Sequence, residues 1–288
     1  MTLNYNSAAA LRSFLEEEGL GMQKKFGQNF LINPQVRKDL VNALNASSGD
    51  DVWEIGPGFG AMTELLLEKG LKVKAFEIDN GFIRVLKKMF GENKNFNLIE
   101  GDVMKTWSKE AASESSQEKY LLGNLPYNIA ASILADFIEK KHTFKRIVVT
   151  VQKEVALRMA ASAGTPDYSS FSVLCASAYN VKPLNVIRRE SFYPQPNVDS
   201  MGVLLERKNA QEIPPVFYQL VRALFAFRRK TIKNNLTVFL SSRFGKVRAQ
   251  QLCASILAEN EVKENERAEN LEFNAFLSIA KSIDNVRI

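Results

Sequence analysis

Between Asp51 and Val151, short apolar runs alternate with amphipathic stretches, and this alternation constrains the fold more than any other feature of the chain. Val52-Trp53-Glu54-Ile55 reads as a buried strand ending in glycines, and Met62 to Lys69 as a helix closed by Gly70. Val73 to Glu77 is a second strand, Phe82 to Phe90 a second helix, and Phe96 to Glu100 a third strand followed by Gly101-Asp102. The polar segment Ser108 to Lys119 reads as a surface loop. Tyr120-Leu121-Leu122 is then a fourth strand, Ile129 to Lys140 a helix, and Arg146 to Val151 another strand. Strands and helices alternating at this spacing fold as a parallel sheet covered by helices on both faces. Ahead of them, Ser7 caps a short helix running to Glu18, striped by Leu11, Phe14 and Leu15 and ended by Gly19 and Gly21.

After Glu206 the pattern changes. Pro214-Pro215 breaks the chain, and apolar residues at 216, 217, 220, 221, 224 and 225 then keep a helical period. The expected organisation is an α/β domain over 1–207 and a small all-helical domain over 208–288, closed by the capped helix of Arg267 to Phe276. With 288 residues, 45% hydrophobic and 24% charged, the chain can bury a sizeable core. No apolar run approaches the ~20 residues of a membrane span and no export signal stands at the start, so a cytoplasmic protein with no membrane partner is expected.

Cys175 and Cys253 lie far apart without ligand-like neighbours and read as small buried thiols. His142, the only histidine, sits in a polar stretch and reads as a solvated loop residue. A chain with one histidine has little access to Ser-His-Asp hydrolysis or histidine-ligated metals, and no metal is expected. The net charge of +6 is concentrated: eight basic and no acidic residues fall between Arg222 and Arg248, which leaves the rest net acidic. Charges of one sign, not interleaved, attract a polyanion such as a phosphate backbone.

"EIGPGFG", Glu54 to Gly60, follows a strand and opens a helix. Gly56 and Gly58 permit a tight turn and close approach of backbone to ligand, and the helix start presents unpaired N–H groups. Glu77, at the end of the next strand, can accept hydrogen bonds from the two hydroxyls of a ribose. On this loop alone a dinucleotide and S-adenosylmethionine fit equally, because Gly56, Gly58 and Ala61 also satisfy the nicotinamide fingerprint. Asp102 favours the second by offering an acceptor to an adenine amino group, although an Asp after Gly101 also serves as a simple helix cap.

The fourth strand runs into "GNLPY", Gly123 to Tyr127. Asn and Pro suit a plain strand-to-helix turn. They also suit chemistry at an adenine amino group, whose lone pair is delocalised into the ring. The Asn124 side-chain oxygen and the Leu125 carbonyl can hold both N–H bonds, Tyr127 can stack on the base for about 1–3 kcal/mol, and Pro126 stiffens the loop. No strong base is needed when the methyl donor is a sulfonium, because orientation carries the catalysis.

"KKFGQNFL" (Lys24 to Leu31), "EIGPGFG", "FEID" (Phe76 to Asp79), Gly101-Asp102, "GNLPYN", "FYPQPNVDS" (Phe192 to Ser200) and "LFAFRRKTIKNNL" (Leu224 to Leu236) stand in unbroken order. Together they resemble the ribosomal RNA adenine dimethyltransferase family, in its bacterial small-subunit branch. The resemblance implies a Rossmann-like S-adenosylmethionine-dependent domain whose cofactor pocket is lined by Asn29, Leu31, Gly56, Glu77, Asp102 and Asn124. It places the target adenine near Asn124, Tyr127 and Phe192. Phe192, just before Pro194 and Pro196, is expected to press a flipped base from the face opposite Tyr127, its alternative being to fill core beside the sheet.

The implied reaction adds two methyl groups to each of two adjacent adenines near the 3′ end of small-subunit ribosomal RNA, in an immature 30S subunit, by a monomer. Arg222, Arg228, Arg229, Lys230 and Lys233 are the expected RNA contacts. Helical geometry cannot align Arg228, Arg229 and Lys230 on one stripe, so at least one is expected to tether to the catalytic domain. Asn33 departs from the family's Asp and puts a local cap in doubt. Rival readings are a large-subunit ribosomal RNA methyltransferase, a DNA adenine methyltransferase, which carries Asp in place of Asn124, and an assembly factor that keeps the fold without methylation.

Overall fold

The computed structural model describes residues 3–21, 28–112, 119–125, 129–209 and 211–286. The chain forms two compact units, residues 1–156 with 181–207 and residues 157–180 with 208–288. Residues 157–180, which the sequence places in the first domain, cluster with the second.

The first unit opens with α1 (Ala8–Glu17), capped as expected by Ser7, whose hydroxyl accepts from Ala10 N at 3.2 Å. β1 (Phe30–Leu31) and α2 (Pro34–Ala43) follow. Then come β2 (Asp51–Ile55), α3 (Ala61–Glu68), β3 (Lys72–Glu77), α4 (Asn80–Phe90), β4 (Phe96–Glu100) and α5 (Val103–Ala112). β5 (Lys119–Asn124), α6 (Ala130–Glu139) and β6 (Arg146–Gln152) complete the alternating region. Beyond it the structure has α7 (Lys153–Ala160), α8 (Ser170–Ala178), β7 (Tyr179–Ile187), β8 (Phe192–Tyr193) and β9 (Ser200–Arg207), elements to which the sequence pattern assigns nothing.

The seven-stranded sheet runs β4-β3-β2-β5-β6-β9-β7. β2 is parallel to both β3 and β5, β3 to β4, and β5 to β6, whereas β9 adds antiparallel to β6. The expectation of a parallel sheet therefore holds for the alternating region and stops at β9. Side chains alternate across β2 and so meet both faces. Val52 joins a core with Leu40 and Val41 of α2 and Met62 and Leu66 of α3. Trp53 points the other way, 6.3 Å from Phe137 of α6 and 5.4 Å from Phe144 between ring centroids. A strand packed on both sides is continuously apolar, which is what made β2 legible.

Two expectations change here. Ser108 to Ala112 belongs to α5 rather than to a loop, because Trp107 is buried and donates its Nε1–H to Asp136 at 2.8 Å, docking the helix; residues 113–118 lie outside the described ones. His142 is not a solvated loop residue but part of an aromatic cluster, its ring 5.0 Å from Trp53, 5.2 Å from Trp107 and 5.0 Å from Phe144.

The second unit contains α7 from Leu157 on, α8, α9 (Phe217–Phe225), α10 (Ile232–Phe244), α11 (Lys246–Glu259) and α12 (Phe273–Asp284). Phe217, Leu220, Leu224, Leu236, Leu240 and Phe276 share one core with Tyr168 and Val173. Tyr168 also donates its hydroxyl to Leu271 O at 3.0 Å. Both cysteines are buried free thiols, Cys253 inside this core. Among the described residues no helix is long and apolar enough to cross a membrane.

Candidate active site

Strand register assembles the motifs. Ile55 pairs with Phe76 on one side and Gly123 on the other, and Glu77 pairs with Glu100. Gly56, Glu77, Gly101-Asp102 and Asn124 therefore sit together at the carboxyl ends of neighbouring strands. The chain moves outward from β2 through β3 to β4 and returns to the opposite side of β2 as β5. Such a reversal leaves a crevice between β2 and β5, where open α/β sheets bind ligands.

The glycine loop is held to Glu77. Its Oε2 accepts from Gly58 N at 3.1 Å, while Oε1 accepts from Ile78 N and Asp79 N, both at 2.9 Å. Burial pushes the Glu77 carboxyl above its usual range, and these N–H bonds pull against that shift. Gly56 has φ +69° and nothing within 4 Å of where a Cβ would project, so its backbone faces open space. At Gly58 a Cβ would lie 2.8 Å from the Phe30 ring, so the close packing of β1 on the loop requires glycine there.

The segment Gln28 to Leu31 is tied to the strand ends. Gln28 Nε2 donates to Asp79 Oδ2 at 3.0 Å, and Asn124 Nδ2 donates to Asn29 O at 2.7 Å. β1 pairs antiparallel with β8, Phe30 opposite Tyr193 and Leu31 opposite Phe192. Cross-strand partners share a face. Leu31 and Phe192 thus enter the sheet core, while Phe30 and Tyr193 pack on the cluster of Phe14, Phe59 and Phe82. Of the two readings of Phe192, the structure shows the core-filling one: its ring is 2% exposed among Leu31 and its core neighbours.

Asn124 ends β5 with its carboxamide nitrogen spent on Asn29 O, which leaves Oδ1 as an acceptor. Leu125 is buried and donates its N–H to Thr150 O at 3.2 Å. A Cβ at Gly123 would lie 2.7 Å from Leu125 Cδ2, so the strand exit packs closely over glycine and a larger residue would have to shift the Leu125 side chain. Pro126 and Tyr127 lie outside the described residues. Asp102 Oδ1 accepts from Met104 N at 3.0 Å, so the residue does cap α5, and its Oδ2 has no protein partner among the described residues. Asn33 caps α2 by accepting from Gln35 N and Val36 N, so the departure from Asp costs no cap.

Two residues of the site escaped the sequence reading. Arg37, on α2, is 5% exposed and donates to Leu31 O at 2.6 Å and Tyr5 O at 3.3 Å, fixing β1 and the N-terminal segment; burial lowers its pKa. A basic residue in an amphipathic helix reads as surface, so no signal pointed inward. Glu54 is fully buried, takes a 2.6 Å bond from Thr63 Oγ1, and is raised by burial to about 7; its Oε1 has no partner among the described residues. Its place inside an apolar strand was the available signal.

Gly56, Pro57, Leu31, Arg37 and Asn124 line one cleft. Open space over Gly56, a carboxylate at Glu77 and an unengaged oxygen on Asp102 together fit the backbone-contacting, ribose and adenine groups of S-adenosylmethionine.

The basic residues lie in the second unit. Arg228, Arg229 and Lys230 occupy the turn between α9 and α10 instead of a helix. Arg228 donates to Glu269 Oε2 at 3.0 Å and to Pro166 O and Tyr168 O, so its tether stays within this unit, and Lys233 pairs with Glu264 at 2.6 Å. Arg222 is exposed on α9. Arg229 and Lys230 are exposed with no ion pair among the described residues.

The chain is 45% identical over 286 residues to the ribosomal RNA small subunit methyltransferase A of Treponema denticola, covering 97% of this chain and 96% of that protein. It is 37% identical to the same-named protein of Borreliella burgdorferi, covering 99% and 96%. A dimethyladenosine transferase structure from Plasmodium falciparum superposes with a TM-score of 0.71 at 26% identity, over 86% of this chain and 94% of that one. The 23S rRNA methyltransferase ErmE shares the fold, with a TM-score of 0.64 at 18% identity over 88% and 99% of the two chains. The sequence profile described as ribosomal RNA adenine dimethylase matches residues 19–285, and the chain belongs to that family of S-adenosylmethionine-dependent methyltransferases.

Proposed function

We propose that the chain dimethylates the exocyclic N6 of two adjacent adenosines in a loop near the 3′ end of small-subunit ribosomal RNA, acting on an assembling subunit. The names of the relatives from Treponema and Borreliella support the small subunit as substrate. The observation that carries the chemistry is the Asn124 carboxamide. Its nitrogen is locked on Asn29 O at 2.7 Å, so its oxygen is committed to accept, beside Gly56 in the same cleft.

Asn124 Oδ1 and Leu125 O accept the two N6–H bonds and hold the amine so that its lone pair is freed from the ring. Pro126 and Tyr127 are assigned the stiffening of this loop and the stacking of the base. Bound S-adenosylmethionine supplies a methyl group already activated on a sulfonium. Gly56 and Gly58 would present backbone to that cofactor, Glu77 would accept from its ribose hydroxyls, Asp102 from its adenine amino group, and Asn29 and Leu31 would cover it. Transfer would break the sulfonium S–CH3 bond, leaving a neutral thioether, as the N6 lone pair takes the methyl; N6 would thereby become acidic and its proton would pass to solvent through the accepting oxygens Asn124 Oδ1 and Leu125 O, so positioning replaces a strong base.

Purified protein is expected to transfer labelled methyl groups to immature small subunits from a strain lacking the modification, mapping to dimethyladenosine at two adjacent positions. Asn124→Ala is expected to lower transfer at least 100-fold, by analogy with lost transition-state donors and acceptors elsewhere, while particle binding stays within about twofold. Tight binding without transfer by the unaltered protein points to an assembly factor, and unchanged turnover in the variant removes the role given to Asn124.

A further inference from the structure

Among the described residues, Phe227 is the one aromatic of the large apolar side chains left open to water, 62% exposed, in the turn that joins α9 to α10. Scattered exposed apolar residues are ordinary on any surface. This one differs in how it is held. Lys230 N closes the turn on Phe227 O at 2.9 Å. Asn235, itself 4% exposed, donates through Nδ2 to Leu224 O at 2.8 Å and Phe227 O at 3.2 Å, pinning both ends of the turn from below. Arg228 points back to Glu269, Pro166 O and Tyr168 O. The remaining members, Phe227, Arg229 and Lys230, are thereby displayed to solvent on a fixed backbone.

The electrostatics are one-sided. No acidic residue occurs between Arg222 and Arg248, and the nearby carboxylates Glu269 and Glu264 are engaged by Arg228 and Lys233. A rigid aromatic beside two cations that make no ion pair among the described residues matches the way proteins grip single-stranded nucleic acid, base on ring and phosphates on the charges. Because the turn is ordered beforehand, little entropy is lost on binding. We infer that Phe227 is a base-stacking contact for an unpaired nucleotide of the ribosomal RNA, with Arg229 and Lys230 on the flanking phosphates and Arg228 serving as the clamp that holds the turn. The inference rests on the ribosomal RNA substrate proposed above.

Binding of the full chain to unmethylated small subunits, and to their deproteinised RNA, is measured across a salt series for Phe227→Ala, Phe227→Trp, Arg229→Gln and Lys230→Gln. Phe227→Ala is expected to weaken binding to both probes about tenfold at every salt concentration, leaving the salt slope unchanged, while Phe227→Trp restores it. Arg229→Gln and Lys230→Gln are each expected to reduce the slope by about 1. Wild-type affinity in Phe227→Ala overturns the inference, as does a loss seen with particles and absent with bare RNA, which assigns the ring to a protein contact. A wild-type chain that binds neither probe overturns the substrate reading instead.

Discussion

Glu54 illustrates how one side chain in the glycine motif serves folding at a cost. Its carboxyl is fully buried, receives one hydrogen bond from Thr63 and lies near the buried Glu77, and burial raises its pKa to about 7. The folded state therefore retains a proton that the unfolded chain releases near pH 4.5. Stability from this group is full below that pH and declines as pH rises toward about 7, by roughly 3 kcal/mol at most. Glu77 is shifted in the same direction. Glu54→Gln, which has no proton to lose, is expected to flatten the fall in stability between pH 5 and 7, as read by urea unfolding at a series of pH values. An unchanged pH profile places the linkage elsewhere. Residues of this kind also show what sequence reveals. Glu77 and Asn124 stood out as candidates because each ends a strand within a motif, and Asp102 because it follows the end of β4 within another. Arg37 did not, and the side that Phe192 faces was left open, since the inward turn of one and the core-facing side of the other depend on partners far away in the chain.

At the level of elements, the alternating region from β2 to β6, α5 excepted, was legible to within a residue or two because central parallel strands are apolar on both faces. The two-residue ribbon of β1 and β8 has no period of its own to detect, yet it decides which aromatic faces the sheet core. The same distinction between local pattern and distant pairing separates the basic residues. Arg228 looks from sequence like a phosphate ligand but bonds Glu269, in the short turn before α12, and two carbonyls. Arg228→Ala is expected to lower stability by about 1 kcal/mol, a small value because the guanidinium is half exposed, with an accompanying drop of a few degrees in Tm. Its effect on the unfolding midpoint is expected to exceed that of Arg229→Gln, and equal midpoints would remove the clamp.

At the scale of the molecule, units of different architecture, each with its own buried core residues, are expected to give two calorimetric transitions. S-adenosylmethionine at 100 times its Kd adds about 2.7 kcal/mol to the state that binds it. It is expected to raise the transition of the α/β unit by several degrees and leave the other in place; a single transition moving as a whole would show that the units unfold together. The division itself was only half visible beforehand. The helical period after Pro214-Pro215 announced the second unit, whereas nothing in the composition of 157–180 says that Tyr168 and Val173 belong to its core. That detour makes the chain poorly suited to exchange of parts. A recombination at residue 207 would deliver a helical unit lacking two members of its core and leave behind an α8 with its apolar side uncovered. A functional transplant between relatives has to move two separated stretches at once, which favours inheritance of this protein as a whole over assembly from interchangeable modules.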